Sequence, residues 1–378
     1  MLAKNRYHSY NLHTLPDGCQ FCVRGEKLVL FSTGLCPRKC YFCPVSDQKF
    51  GHDVSFANER KISSREDVIL ESEAMDAKGA GITGGDPLMK IERTVAYIKQ
   101  LKEKYGPKFH IHLYTSLNLV TEENLKLLYD AGLDEIRFHL DIDSEQFWPR
   151  LALARKFAWK KGVELPSIPG KEKPLQKMID FIHDKIDFLV LNELEVADND
   201  QSKLLEMGYK TKEQFSYAVE DSIKTGLELI EYAQKKGYAF AIHLCTAKLK
   251  DSVQLANRIK REAEHSKHPF DLVDEEGLLT RGALYLPSLV PGFKYREKLA
   301  SADKEKLNAE LQPLIDKVQK RLKLSSEQVL IDTQKCRILL AAKLMKAHRK
   351  EFHKLGLIPA IVKEYPTADQ LEIEVELL

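Results

Sequence analysis

The chain has 378 residues, of which 43% are hydrophobic and 30% are charged, and its formal net charge is +2. These values are ordinary for a folded globular protein and exclude a disordered or fibrous chain, while the small net charge says little about partners. No window is long and apolar enough to cross a membrane, and residues 1–8 lack the apolar segment of a secretion signal. We therefore expect a cytoplasmic protein without a membrane partner, whose seven cysteines are reduced or bind metal.

Three segments differ in their pattern. Residues 1–27 are polar and irregular, residues 28–266 alternate strands with helices, and residues 267–378 predict a small α+β domain. Alternating strands and helices predict a parallel sheet with right-handed crossovers. The predicted strands lie at 28–31, from 79 into a glycine-rich loop, and at 110–115, 135–140, 163–168, 188–196 and 239–245. Among the predicted helices are those at 150–161 and 212–236, and in the last segment those at 302–322 and 337–355.

Polar and apolar residues alternate along three of these strands. The polar set is His110, His112 and Tyr114, then Arg137, His139 and Asp141, and then Glu164. If the apolar set packs on outer helices, the polar set points into the barrel, whereas a closed barrel fills that space with aliphatic side chains. A polar interior favours an open barrel that holds a substrate, although each of these residues could equally be a satisfied core or rim side chain.

Three cysteines, Cys36, Cys40 and Cys43, follow the first of these strands with the spacing Cys-x3-Cys-x2-Cys. A four-iron cluster normally takes four thiolates, so three close thiolates predict a cluster with one open iron. Structural zinc sites usually have two pairs of ligands, and disulfide frameworks suit small secreted chains. The spacing therefore favours an iron–sulfur cluster over both alternatives.

This spacing resembles the cluster motif of the radical S-adenosylmethionine (SAM) superfamily, in which an aromatic residue, here Phe42, precedes the third cysteine. The resemblance is to the group of pyruvate formate-lyase activating enzymes and covers about residues 28–250. It implies an α/β fold, a partial (βα)6-type parallel barrel, and a [4Fe–4S] cluster held by Cys36, Cys40 and Cys43. It also implies that SAM binds at this cluster and is cleaved to a 5′-deoxyadenosyl radical, and that a reductant such as ferredoxin or flavodoxin supplies the electron.

Further residues match the regions that bind SAM in this family. Gly84, Gly85 and Asp86 stand where the family has Gly-Gly-Glu, so Asp86 is a shortened version of the family residue. The stretch from Thr115 to Asn118 resembles the part near the SAM ribose and carboxylate, although Ser and Asn also favour a turn. The stretch at 166–170 resembles the part that contacts adenosine in relatives. Asn192, Glu193 and Glu195 end the sixth predicted strand and could bind substrate or SAM, or equally pair with nearby lysines.

A second group of thiols lies outside the motif. Cys19 and Cys22 form a Cys-x2-Cys-x2-Gly knuckle, and Cys245 ends the seventh predicted strand with His243 on the same face. These residues predict an auxiliary iron–sulfur cluster, or a zinc site with His243 as fourth ligand. A reduced pair with Cys245 in the core is as plausible, and Cys336 is a more distant candidate.

Three classes of substrate remain open from the sequence. A glycyl-radical activase would act on a backbone glycine of a partner protein. An RNA modifier would use the basic residues of 294–354, where Lys and Arg outnumber Asp and Glu about two to one. A small-molecule enzyme would use the polar interior. A non-enzyme alternative, a cluster-bearing sensor or scaffold, would leave the glycine-rich loop at Gly84–Asp86 without a role.

Overall fold

The structure is a computed structural model, and it describes residues 4–378. The chain forms two compact units, Met1–Arg258 and Ile259–Leu378. The boundaries predicted from the sequence, after residues 27 and 266, remain predictions.

A ten-stranded sheet forms the centre of the first unit in the described part of the chain. Its strands are β1 (Tyr10–Leu12), β2 (Lys27–Phe31), β3 (Phe56–Ala57), β4 (Arg60–Lys61), β5 (Gly79–Thr83), β6 (His110–Ser116), β7 (Glu135–His139), β8 (Lys160–Ser167), β9 (Phe188–Glu193) and β10 (Ala241–Cys245). β2 and β5–β10 run parallel in chain order, as the alternation of strands and helices predicts. β3 pairs antiparallel with β2 at one edge, and β1 pairs antiparallel with β10 at the other.

The helices connect the parallel strands. They are α1 (Asp17–Val23), α2 (Glu66–Ala74), α3 (Ile91–Tyr105), α4 (Glu122–Asp130), α5 (Glu172–Ile182), α6 (Ser222–Lys235), α7 (Ala247–Leu249) and α8 (Ala256–Ser266). Two 3₁₀-helices, Pro87–Lys90 and Trp148–Lys156, and a π-helix, Lys250–Leu255, complete them. Within residues 4–378 the two edges of the sheet do not pair with each other, so the barrel is open. The α/β fold with a parallel, partial barrel is confirmed.

The two faces of the sheet differ as the alternation predicts. The apolar set of strand residues, including Ile111, Leu113 and Phe138, is fully buried in the main hydrophobic core with the helices. Residues of the polar set instead line a cavity, namely His112, Tyr114, Arg137, His139 and Glu164. Because side chains from β2 at one end and β10 at the other line the same cavity, the sheet curves around it.

The second unit is an antiparallel sheet with helices. Its elements are β11 (Leu272–Val273), β12 (Leu279–Tyr285), α9 (Tyr295–Ser301), α10 (Lys304–Leu322), β13 (Val329–Asp332), β14 (Arg337–Leu340), α11 (Ala342–Ala347), α12 (Arg349–Lys354), β15 (Ile358–Glu364) and β16 (Glu372–Leu377). The strand order is β13-β14-β12-β15-β16, with β11 beside β12. The small α+β domain ending on an antiparallel pair is thus present.

Part of the basic excess in this unit is buried. Arg337 is fully buried, and it donates hydrogen bonds to Asp332 at 2.9 Å, to both oxygens of Glu364 at 2.8 Å, and to the Tyr285 hydroxyl at 3.2 Å. Lys335 is buried beside Arg337 and pairs with Glu372. These two cations hold the sheet together and are not available to a nucleic acid.

Three predicted helices differ from the structure. The helix predicted at 212–236 begins only at Ser222, and the one predicted at 150–161 is a short 3₁₀-helix followed by β8. The helix predicted at 337–355 is β14 followed by the short α11 and α12. No helix among residues 4–378 combines the length and the apolar character needed to span a bilayer.

Candidate active site

The cavity inside the curved sheet has a volume of about 1030 Å³. Each of the seven parallel strands contributes to its lining, and so does the loop after β2. In barrels of this kind the chemistry lies where the parallel strands end, because the loops there bring residues from several strands together. The cavity is therefore the place to look for the predicted site residues.

Cys36, Cys40 and Cys43 are half-buried free thiols in the loop after β2, and all three border the cavity. Burial raises the pKa of each thiol, for Cys36 to about 11. The backbone N–H of Arg38 at Cys36 and the charge of Arg38 near Cys40 act in the opposite direction. A metal takes the place of the thiol proton when a cysteine binds it. The N–H and the charge of Arg38 stabilise the thiolate form, which is the form that binds a metal.

The cysteine loop is held by a segment that the sequence did not point to. This segment, residues 194–221, connects β9 to α6. Asn199 Nδ2 donates to the carbonyls of Cys43 and Val45 at 3.1 and 2.9 Å, and the Lys203 N–H donates to the Tyr41 carbonyl at 2.7 Å. A single Asn in a polar connection has no signature in a sequence, so this contact could not have been found there.

Gly84 and Gly85 let the loop after β5 lie against the loop after β2. The Gly85 N–H donates to the Thr33 carbonyl at 2.7 Å, and the Asp86 N–H donates to the Leu35 carbonyl at 2.8 Å. A Cβ on Gly84 would stand 2.4 Å from the Thr33 oxygen, and one on Gly85 would stand 2.4 Å from the Leu35 oxygen. Both glycines line the cavity, so their backbone is exposed to a ligand there.

The Asp86 carboxylate is buried and does not line the cavity. It accepts hydrogen bonds from the Leu88 N–H at 3.0 Å, the Thr115 hydroxyl at 2.8 Å, and both the N–H and the hydroxyl of Ser116 at 3.0 and 2.6 Å. Asp86 thus joins the end of β5 to the end of β6. In this structure it positions the glycine loop and is not itself directed at a ligand.

The other residues matched to SAM binding lie at the end of β6 and beside the cysteines. Thr115 and Ser116 line the cavity, whereas Asn118 is outside the lining and its N–H donates to the Ser116 hydroxyl at 3.3 Å. The Phe42 ring lies 5.7 Å from the His139 ring, and both line the cavity. Burial lowers the pKa of His139 to about 3, and its Nε2 is buried without a hydrogen-bond partner. The Nε2 atom of this neutral imidazole is thus a polar atom in the site that still lacks a partner.

A network of charges forms the inner part of the cavity. Arg137 donates to Glu135 at 2.6 Å, to Glu164 at 2.8 Å and to the Tyr114 hydroxyl at 3.2 Å. Lys27 is buried, donates to the His110 carbonyl at 2.8 Å, and has a pKa lowered by burial to about 7. Because buried charges must be paired, this network keeps the interior polar without leaving an isolated ion.

The ends of β9 and β10 form a charged wall of the cavity. Asn192, Glu193 and Glu195 all line it, and Glu193 and Glu195 form ion pairs with Lys212 and Lys250, respectively. Asn192 Nδ2 donates to Glu164 at 2.9 Å, which links the wall to the inner network. The alternative that these carboxylates pair with lysines is therefore confirmed, and Lys250 is a cavity residue that sequence reasoning missed.

The second group of thiols borders the same cavity. Cys19 and Cys22 lie on α1, and Cys245 ends β10. The Gly25 N–H donates to the Cys22 carbonyl at 3.0 Å. The structure therefore places all three cysteines around one space, and their role as metal ligands stays a prediction.

The residues that border the cavity fit an iron–sulfur cluster with a bound cosubstrate. Three free thiols on one loop are suitable cluster ligands. Beside them lie glycine backbone groups and the unpartnered His139 nitrogen, which can accept a hydrogen bond from a polar ligand. The chain's own contribution is to hold the loop, orient the ligand and exclude water from it.

Comparisons with known proteins identify the family of this chain. Residues 30–164 match the model of the radical SAM superfamily. A Methanocaldococcus jannaschii protein whose name proposes that it activates a glycyl-radical enzyme is 34% identical, over 98% of this chain and 94% of that protein. Biotin synthase of Shewanella loihica is 30% identical over 33% of this chain and 35% of that protein. A radical SAM methyltransferase structure from Kitasatospora setae aligns with a TM-score of 0.37 and 13% identity, over 66% of this chain and 54% of that one.

In this family a [4Fe–4S] cluster reductively cleaves SAM to a 5′-deoxyadenosyl radical, which abstracts hydrogen from a substrate. The chain belongs to the radical SAM superfamily and resembles its group of glycyl-radical activating enzymes.

Proposed function

We propose that this radical SAM enzyme takes hydrogen from a small polar molecule bound in the cavity, with SAM held at Gly84, Gly85, Thr115 and Phe42. The observation that carries this proposal is the charged lining of a cavity of about 1030 Å³, a volume at the upper end of small-molecule sites. A site built for an apolar substrate would contain few such charges. We further propose a cytoplasmic ferredoxin or flavodoxin as the electron donor.

The charges of the cavity suit a substrate that carries both an amino and an acidic group. Glu164 and Glu195 can accept from a cation, while Lys250 and Arg137 can donate to a carboxylate or phosphate. Lys250 is only partly buried, with 34% of its side chain exposed, and this burial lowers its pKa. If an acidic group of the substrate replaces Glu195 as the ion-pair partner of Lys250, the new pair orients the substrate in the cavity.

The test compares fractions of an extract from the source organism. Reconstituted, reduced enzyme is given SAM with the low-molecular-weight filtrate, with the protein fraction, or with total RNA, and 5′-deoxyadenosine is measured. We expect the filtrate to stimulate its formation, and we expect Lys250→Met to reduce this stimulation at least tenfold. Lys248→Met, on the neighbouring α7 outside the cavity lining, is the matched control. Stimulation by the protein or RNA fraction alone would contradict the proposal.

Activation of a glycyl-radical enzyme is the second candidate, and the name of the Methanocaldococcus jannaschii relative favours it. The segment 194–221 also exposes apolar side chains, with Phe215 94% and Tyr217 61% exposed, and Tyr217 borders the cavity. A partner polypeptide could cover these side chains while one of its loops enters the cavity. This function predicts stimulation by the protein fraction and a glycyl-radical signal in its electron paramagnetic resonance spectrum. Phe215→Ser should then weaken the stimulation.

A further inference from the structure

We propose that Cys19, Cys22 and Cys245 bind a second iron–sulfur cluster inside the barrel, apart from the one held by Cys36, Cys40 and Cys43. The three thiols come from α1 and from the end of β10, elements separated by more than half of the chain. All are free thiols that line the cavity.

The packing brings these thiols together. Cys19 and Cys245 belong to one small buried cluster with Phe188 and Val190, which is separate from the main hydrophobic core. Cys22 lies three residues after Cys19 on α1, so the two side chains share one side of that helix. Cys22 is only half-buried, because it faces the open space of the cavity.

The charge of the surroundings suits an anionic cluster. The Arg137 guanidinium lies 3.4 Å from the Cys19 sulfur, and the buried Lys27 lines the same cavity as Cys22. A cluster carried by three thiolates places negative charge in a buried space, which requires cations close by. Arg137 and Lys27 are two such cations, and Arg137 also pairs with Glu135 and Glu164.

One imidazole nitrogen without a hydrogen-bond partner supports the site independently of the thiols. His243 lies two residues before Cys245 on β10, so both side chains point to the inner face of the sheet. Its Nδ1 lies 2.7 Å from Asn11 Oδ1. Because an amide oxygen only accepts hydrogen bonds, Nδ1 carries the proton, and Nε2 is left as an acceptor. That Nε2 is buried without a hydrogen-bond partner. A metal atom of the cluster is a partner that this nitrogen could take.

The spacing of the ligands favours a cluster over a single zinc ion. Zinc binds thiolates at about 2.3 Å in a tetrahedron, so its sulfur ligands lie roughly 4 Å apart. Among the described residues, Cys19, Cys22, Cys245 and His243 do not form a group with ligand atoms within 4.8 Å of one another. The same holds for Cys36, Cys40 and Cys43. In a [4Fe–4S] cluster each thiolate binds a different iron, so its sulfur ligands lie farther apart than those of a single zinc ion.

The test counts metal and does not depend on activity. The Cys36/Cys40/Cys43→Ala variant, reconstituted anaerobically with iron and sulfide, should retain about two to four irons per chain with an equal amount of sulfide. Adding Cys19→Ala and Cys245→Ala should remove this iron. Adding Cys336→Ala instead should not, because Cys336 is a buried cysteine of the second unit.

Three results would overturn the proposal: a triple variant that folds and holds no iron, one that holds zinc alone, or iron that persists after Cys19 and Cys245 are replaced. Folding is checked by circular dichroism for each variant. If the triple variant does not fold, the intact chain decides. About six to eight irons supports a second cluster, and about four refutes it.

Discussion

Replacement of Asp86 by Ala tests whether this residue acts by holding the two strand-end loops together. The buried carboxylate accepts from the N–H groups of Leu88 and Ser116 and from the hydroxyls of Thr115 and Ser116. The hydroxyls can turn to other acceptors, since Thr115 Oγ1 already lies 3.0 Å from the Ser116 carbonyl. The two N–H groups cannot turn, and a buried donor left without a partner costs about 1–3 kcal/mol.

The Asp86→Ala variant should therefore lose about 2–6 kcal/mol of unfolding free energy. Its glycine loop should shift, and SAM affinity should fall roughly ten- to hundredfold. The iron content should not change, because Asp86 offers no ligand to the cysteine loop. Urea denaturation measures the first effect, and equilibrium dialysis of SAM on reconstituted protein measures the second.

Asp67→Ala is the matched control. Its carboxylate also accepts from two backbone N–H groups, those of Ser63 and Ser64 at 2.9 and 2.8 Å, but at an exposed helix start. We expect a loss of about 1 kcal/mol there, with SAM affinity unchanged. If Asp86→Ala weakens SAM binding while its unfolding curve matches the wild type, the carboxylate contacts SAM directly and the positioning role is wrong.

Three further variants or conditions probe other parts of the molecule. Arg337→Ala removes the ion-pair partner of buried Asp332 and leaves Glu364 with Arg281 alone, so it should cost about 3–5 kcal/mol in urea unfolding, against under about 0.5 for the surface change Arg349→Ala; equal costs would contradict this. Burial lowers the pKa of His110 to about 4 and of His139 to about 3, so unfolding takes up protons below about pH 6.5. Stability should fall by about 2 kcal/mol per histidine from about pH 7 to about pH 5, and the double His→Gln variant should lose less. Asn199→Ala frees two carbonyls of the cysteine loop and should speed the loss of iron to a chelator severalfold; an unchanged rate would remove Asn199 from this role.

The strands of the first unit were predictable because the sequence repeats a regular order of strand and helix patterns. Each parallel strand is a short apolar run followed by a helical pattern, and the seven predicted strands overlap the observed ones. The 212–236 prediction failed at its start, because residues there pair with the chain after β9. The Val196 N–H donates to the Tyr217 carbonyl, and the Val219 N–H donates to the Leu194 carbonyl. Such tertiary pairing overrides local helix propensity.

In the second unit, the apolar run Arg337–Leu340 was ambiguous. Four residues are too few to separate a buried strand from a helix turn by period alone. The structure resolves this run as β14, which pairs with β12 on one side and β13 on the other. Cys336, directly before it, has a φ of 50°, in the left-handed region.

The candidate site likewise has a part that the sequence predicts and a part that it does not. The cysteine spacing and the glycine loop are local in the sequence, so both could be recognised before the structure was known. The direction of the Asp86 side chain, by contrast, depends on Thr115 and Ser116 about thirty residues away. The support of the cysteine loop by Asn199 joins residues more than 150 positions apart. Contacts of this kind leave no periodic trace in a single sequence.

The N-terminal segment is part of the same interior as the parallel strands. The Gly18 N–H donates to Glu135 at 3.0 Å, and a Cβ at Gly18 would stand 2.5 Å from Arg137 Nη2 and 2.7 Å from His112 Nδ1. Only a residue without a side chain lets α1 lie this close to the charged network. Because α1 closes the inner end of the cavity, it also delivers Cys19 and Cys22 to the cations there. The same helix thus excludes solvent from the charged network and supplies two of the three proposed ligands of the second cluster.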